Sequence, residues 1–230
     1  SLNNVRIKNE RLLCFYNSII YNGKVLSNDT YKDESKVKYY DVNELIAAKE
    51  GEAPAVTELD IIQKQKINFV LAKDGNVYTL ESADNGCNIV KIKNDFTLEK
   101  VFANFQPAKG PYHSSPTIGM VASETENIIY LVSTDGAIFK YILGDSDSLK
   151  APFIAAESGV SITAPLQLNQ QSGELYVTYT EERKDESKIV VYSKDGKVLH
   201  TVDCGESVPS QILFNNYTNI CLLYTSPSQR

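Results

Sequence analysis

The chain has 230 residues, with no tryptophan, one methionine and two histidines. Its four cysteines, at 14, 87, 204 and 221, form no C-x-x-C pair and have no histidine cluster beside them. That pattern lacks the grouped thiolates and imidazoles of a structural zinc site. An even count permits two disulfides, but a chain long enough to build a sizeable core does not need them, so isolated thiols in strands are expected. The glycines stand singly at turns, so no glycine-rich loop is present to cradle a phosphate. A net charge of −6 is spread along the chain without a basic stripe, which argues against a nucleic-acid partner. No apolar run approaches the roughly 20 residues that a membrane-spanning helix needs. The sequons at Asn28 and Asn216 arise readily in an Asn-rich chain and assign no compartment.

What remains is a sheet-forming composition. Hydrophobic residues make up 42% of the chain, tyrosine alone supplies 14, and β-branched residues are common. The organising stretch is 127–143, NIIYLVSTDGAIFKYIL, in which two apolar runs flank Asp135-Gly136. Asp and Gly tolerate the left-handed backbone of a tight primed turn, so the stretch predicts a β-hairpin with a positive φ at Gly136. Weaker copies occur at 67–80 (INFVLAKDGNVYTL) and 189–202 (IVVYSKDGKVLHTV).

The copies belong to a longer repeat. The pentapeptide Lys-Asp-Glu-Ser-Lys occurs at 32–36 and again at 184–188, about three units of roughly 50 residues apart. Strand-like runs begin near Lys24, Ile67, Ile128, Leu175 and Ile220, and Pro116, Pro165 and Pro209 each open a strand. On this register Asp135-Gly136 joins the second and third strands of its unit, and Asp195-Gly196 the third and fourth. Asn43 is the expected N-cap, and Gly51 the stop, of a short helix inserted in the first unit. A period of 40–50 residues with several short strands per unit predicts an all-β fold, a β-propeller of four-stranded antiparallel blades. The expected blades are 5–59, 60–106, 107–158 and 159–204, with a partial blade at 205–225. Residues 226–230 are expected to be a frayed or non-native tail, because 221–230 resembles the translated adapter tail at broken gene ends; the chain is accordingly expected to be a fragment whose parent supplies further blades or another domain.

The opening Ser114-Ser115-Pro116-Thr117-Ile118, followed by Ile129-Tyr130 through Asp135-Gly136 to Phe139, resembles a blade of the quinoprotein-like (PQQ-like) propellers. WD40 repeats are the rival, but no Trp-Asp ending or Gly-His opening is present. The PQQ-like resemblance implies a quinone cofactor packed among tryptophans. A chain without tryptophan departs from that pattern, so no cofactor is expected.

Tyr112, His113 and Ser114 are the candidate binding residues, because they lie on a loop leading into the first strand of a blade. No acid at recognisable spacing completes a catalytic set with His113 and its serines, so no catalytic residue is assigned. His200 alternates with apolar neighbours as a strand-face residue. Asp84-Asn85-Gly86 and Asp145–Ser148 are oxygen-rich, but both read as turns rather than as calcium loops, and no metal site is assigned. The expected function is a non-catalytic binding module presenting inter-blade loops to a protein or glycan partner. The alternative is a lactonase- or hydrolase-type propeller enzyme with an axial metal or polar site.

Overall fold

The computed structural model describes residues 18–28, 35–49, 54–64, 68–108, 119–181, 186–215 and 220–225. Tyr112, His113, Ser114, Pro116, Cys14 and the tail 226–230 lie outside them. The first sheet holds β1 (Ile19–Tyr21), β2 (Lys24–Ser27), β3 (Ser35–Asp41) and β4 (Val56–Gln63), with helix α1 (Val42–Ala47) between the last two. The second holds β5 (Val70–Leu71), β6 (Val77–Ala83), β7 (Gly86–Ile92) and β8 (Leu98–Phe105). The third is β9 (Met120–Ala122), β10 (Ile128–Val132) and β11 (Ile138–Ile142), extended by a bridge from Ile138 to Ile154. In the fourth, β12 (Val160–Ile162) and β13 (Gln167–Leu168) share one edge of β14 (Leu175–Glu181), followed by β15 (Ser187–Tyr192) and β16 (Val198–Gly205). β17 (Pro209–Asn215) and β18 (Ile220–Thr225) pair with each other in a fifth sheet. Every pairing is antiparallel, and each sheet is an up-and-down meander.

These are the blades of a β-propeller, and the apolar runs explain why. A strand buried on one face alternates; one buried on both faces reads as a continuous apolar run. In β10, Ile129 and Leu131 enter the core shared with the second sheet, while Tyr130 and Val132 enter the core shared with the fourth. β15 behaves likewise: Val190 faces the third sheet, and Ile189 and Val191 face the fifth. A separate core joins the first and second sheets through Leu26, Ile61, Val77 and Ile92. Consecutive blades therefore pack face to face in chain order. The short strands β5 and β9 lie side by side, as do β9 and β13, which puts these strands on the inner side of their blades.

Several expectations need correction. The second strands begin at Lys24, Val77, Ile128, Leu175 and Ile220, so Val77, not Ile67, belongs to the series. β4 carries the first blade to Gln63, past the expected boundary at 59. Pro165 sits in the interruption between β12 and β13 rather than at the opening of the first strand, whereas Pro209 does open β17. Helix α1 is capped by Asp41, not Asn43. The Asp41 carboxylate accepts from the N–H groups of Asn43 (2.8 Å) and Glu44 (3.2 Å), and it also receives the Lys24 ammonium at 2.8 Å.

Asp135-Gly136 joins β10 to β11, the second and third strands, and Asp195-Gly196 joins β15 to β16, the third and fourth, as expected. Gly136 has φ +86°, also as expected, but the turn is not primed. Gly136 N–H donates to Ser133 O and Ser133 N–H to Ala137 O, both at 2.9 Å. The hairpin is thus a type I turn closed by a glycine bulge. The two-residue primed turn is Asn22-Gly23, where both φ values are positive (48° and 72°).

Hydrogen bonds from Ser133 Oγ and Ala137 N–H hold the Asp135 carboxyl below its ordinary pKa. A depressed folded pKa contributes stability above the unfolded value that is lost as pH falls through the folded one. Asp135→Asn is therefore expected to flatten the acid-side loss of stability as pH falls below the ordinary aspartate pKa of about 4. Urea midpoints measured across that range check it, and unchanged acid dependence would refute it.

Candidate functional site

In an up-and-down blade, the link from a fourth strand to the next first strand emerges at the same end as the turn between strands two and three. The described residues 64, 68–69, 106–108, 119, 155–159 and 206–208 therefore lie at the same end of the propeller as the turn at 133–137. Of the segments 107–115, 157–163 and 203–208 expected on one rim, the residues 157–159 and 206–208 lead into β12 and β17, the first strands of their sheets, at the same end, while 109–115 lies outside the described residues. One correction applies: 203–205 still belongs to β16, and 160–162 is β12 itself.

The connector 106–119 is the longest of the four, and both its feet are fixed. At the first, Ala108 N–H donates to Val132 O at 2.8 Å. Thr134 N–H donates to Gln106 O at 2.8 Å, and the Thr134 hydroxyl to Pro107 O at 2.9 Å. The Gln106 amide reaches the second blade, donating to Asn85 O at 2.6 Å. At the other foot, the Asn68 side chain holds the backbone of Met120 from both sides. Asn68 Nδ2 donates to Met120 O at 2.8 Å, and Met120 N–H donates to Asn68 Oδ1 at 3.1 Å. Gly119 has φ +81°, and a Cβ there would stand 2.7 Å from Asn68 Oδ1. Gly119→Ala is thus expected to lose about 2 kcal/mol of stability, through left-handed strain and displacement of the Asn68 amide. Thermal and urea unfolding check it; an alanine variant as stable as the parent would show that this foot is not constrained. The candidate residues Tyr112, His113 and Ser114 lie between the two feet, outside the described residues.

Asn68 belongs to a buried polar chain that the sequence reading missed. Asn28 Nδ2 donates to Gln63 Oε1 at 2.6 Å, and Gln63 Nε2 donates to Thr79 Oγ1 and Leu80 O, both at 2.9 Å. The Thr79 hydroxyl donates to Asn68 O at 3.1 Å. Gln63 is 1% exposed and Thr79 fully buried. The chain crosses from the first blade through the second to the third, beneath the connector end. Its only signal in the sequence is polar residues at the ends of apolar runs, a position where polar side chains are ordinarily solvated.

The other candidates resolve into local roles. Asp145 caps a single 3-10 turn at Ser146–Leu149, and Asp147 pairs with Lys150 at 2.8 Å. Asn85 lies in the β6–β7 turn and offers its carbonyl to Gln106. Among the described residues, no group of three or more His, Cys, Asp or Glu side chains could hold a metal ion. His200 is exposed on β16, a strand-face residue as expected. Cys87 and Cys204 are free thiols in strands, and burial pushes the Cys87 thiol up to about 11. Among the described residues no helix is long and apolar enough to cross a membrane.

A family model for a domain of unknown function, DUF5074, matches residues 21–215, most of the chain. The chain belongs to this DUF5074 family. No curated protein matches it. Among solved structures, prolyl oligopeptidase B from Galerina marginata, bound to a 35mer hydrolysis and macrocyclization substrate, is similar at 14% identity and TM-score 0.56. That match covers 92% of this chain and 31% of that one. A protein from Lactobacillus plantarum is similar at 13% identity and TM-score 0.51, covering 90% of this chain and 62% of that one. A streptogramin B lyase aligns at 15% identity and TM-score 0.46. This DUF5074 chain spans 61% of the lyase and about a third of the oligopeptidase. At such identities the first two likenesses show the propeller fold alone.

Proposed function

We propose that this DUF5074 propeller is a non-catalytic binding module whose connector-end loops, foremost 106–119, contact a protein or glycan partner. The observation that carries this reading is the double anchorage of that loop. Residues 106–108 and Met120, on either side of 109–118, are hydrogen-bonded to the second and third blades, and residues borne on a rigid scaffold are where recognition concentrates. Tyr112 supplies an aromatic face, and His113 and Ser114 supply hydrogen-bonding groups, a combination suited to sugar rings and to protein surfaces. The Ser-Pro opening at 115–116 and the 129–139 hairpin support placing the blades near the PQQ-like propellers, without their tryptophan-lined cofactor site.

The test is equilibrium binding of the whole chain to a glycan panel, with a photo-crosslinker at position 113 to capture a protein partner. A Tyr112→Ala, His113→Ala double variant is expected to bind the identified partner at least about tenfold more weakly, with a thermal midpoint within about 2 °C of the parent. Unchanged affinity would overturn the assignment of the loop. Chelator-sensitive turnover of lactone or ester substrates would overturn the non-catalytic reading in favour of a hydrolase.

A further inference from the structure

Of the two sequons, Asn28-Asp29-Thr30 has its acceptor asparagine among the described residues, and Asn216 lies outside them. An asparagine that carries a glycan ordinarily stands on a surface loop, because the attached sugar must reach solvent. Asn28 does not. It directly follows β2 and is 6% exposed, and its neighbour Ser27 is equally buried. Asn28 Nδ2, the atom to which a sugar would be joined, donates to Gln63 Oε1 at 2.6 Å. The other atom of that amide, Oδ1, is buried as well. Gln63 cannot turn to release the bond. Its Nε2 donates to Thr79 Oγ1 and Leu80 O, and a carbonyl accepts only from the nitrogen end of an amide. Gln63 Oε1 is thereby left as the acceptor for Asn28.

We propose that a glycan at Asn28 and this fold exclude one another: the chain is an acceptor for N-glycosylation before it folds, and it folds only where Asn28 stays unmodified. Transfer would join Nδ2 to the anomeric carbon of a lipid-linked glycosyl pyrophosphate. That carbon's bond to the pyrophosphate oxygen would break, and the amide would release one proton. A single N–H remains on Nδ2 afterwards. If it kept the bond to Gln63, the sugar would have to enter a close-packed interior. If the sugar faced Gln63 instead, Oε1 would lose its donor and the polar chain from the first blade to the second would be cut. Either way Asn28 must leave the interior and draw the end of β2 with it. Two residues back, Leu26 is fully buried with Ile61 and Val77 in the core that joins the first two blades. This inference does not depend on the binding role given to the loop 106–119.

Cell-free translation with microsomes tests it, using the whole chain behind a cleavable secretion signal in an Asn216→Gln background. A fraction of chains should gain one glycan at Asn28, located by peptide mass. That fraction should be digested by protease at least about tenfold faster than the unmodified one, because digestion follows the population of the unfolded form. Thr30→Ala removes the sequon and should return all chains to the resistant fraction. A glycosylated chain as resistant as the unmodified one would overturn the proposal, and so would nascent chains that never take the glycan. Urea unfolding of protein made without glycosylation gives a second readout. Asn28→Ala removes the hydrogen bond without adding bulk, whereas Asn28→Tyr removes it and adds a ring where a sugar would stand. The folding equilibrium constant of the tyrosine variant is expected to be at least about tenfold below that of the alanine variant. A tyrosine variant as stable as the alanine variant would show that position 28 has room for an attached group, and would overturn the exclusion.

Discussion

Replacing Gln63 with leucine is expected to lower the unfolding free energy by about 3 kcal/mol, although leucine is similar in size and more apolar. The loss comes from the groups Gln63 leaves behind. Its amide accepts from Asn28 Nδ2 and donates to both Thr79 Oγ1 and Leu80 O. Asn28, Gln63 and Thr79 are all buried, so water does not replace those bonds at no cost. A buried donor or acceptor without a partner costs about 1–3 kcal/mol, and the substitution strands more than one. Thr79→Val should cost less, about 1 kcal/mol, because Gln63 keeps its bonds to Asn28 and Leu80 O. If the chain acts as a unit, the double variant should fall short of the sum by about 1 kcal/mol. Urea unfolding measures all three. A Gln63→Leu loss under 1 kcal/mol would mean that blade packing alone fixes the connector end.

This network also marks where sequence reading stops. The blades were legible because their runs are buried on both faces, and a stretch such as IIYLV between turn residues is recognisable without knowing its neighbours. The turns were legible because Gly136 and Gly196 need left-handed backbone. Local pattern does not distinguish the two limbs of a hairpin. In 67–80 both limbs are apolar, so the pattern marks Ile67 as readily as Val77, where the second strand begins. Nor does it choose between Asp41 and Asn43 as a cap; the choice follows from which side chain reaches two free N–H groups. Gln63 and Asn68 were invisible for a different reason. A polar residue beside a short apolar run, such as Gln63 after Ile61-Ile62 or Asn68 before Phe69-Val70-Leu71, reads as the point where a strand meets water, and only the placement of the next blade shows which protein groups it meets. For the candidate site, Tyr112, His113 and Ser114 rest on the sequence alone, while the structure describes the flanking residues up to Ala108 and from Gly119 on.

Phe96 provides the second large effect, and its sign depends on backbone strain. The turns 72–76, 133–137 and 193–197 share one hydrogen-bond pattern, with Gly75, Gly136 and Gly196 at the left-handed position. The turn 93–97 has the same pattern. Lys93 N–H donates to Thr97 O at 2.9 Å and Phe96 N–H to Lys93 O at 2.8 Å, yet the left-handed residue is a phenylalanine with φ +63°. Left-handed backbone costs a bulky residue about 1–2 kcal/mol, so packing must offset it. The Phe96 ring stacks on Tyr39 at 4.5 Å and meets Tyr21 edge-on at 5.8 Å, closing the seam between the first two blades. Phe96→Ala is expected to lose about 3 kcal/mol, because it discards the ring contacts and keeps the strain. Phe96→Gly discards the same contacts but relieves the strain, and should be about 1 kcal/mol less damaging than alanine. That order is the reverse of the one found within strands and helices, where glycine is the more destabilising of the two. Urea unfolding of the two variants side by side decides it: if the alanine variant is equal to or more stable than the glycine variant, the left-handed backbone at Phe96 carries no strain.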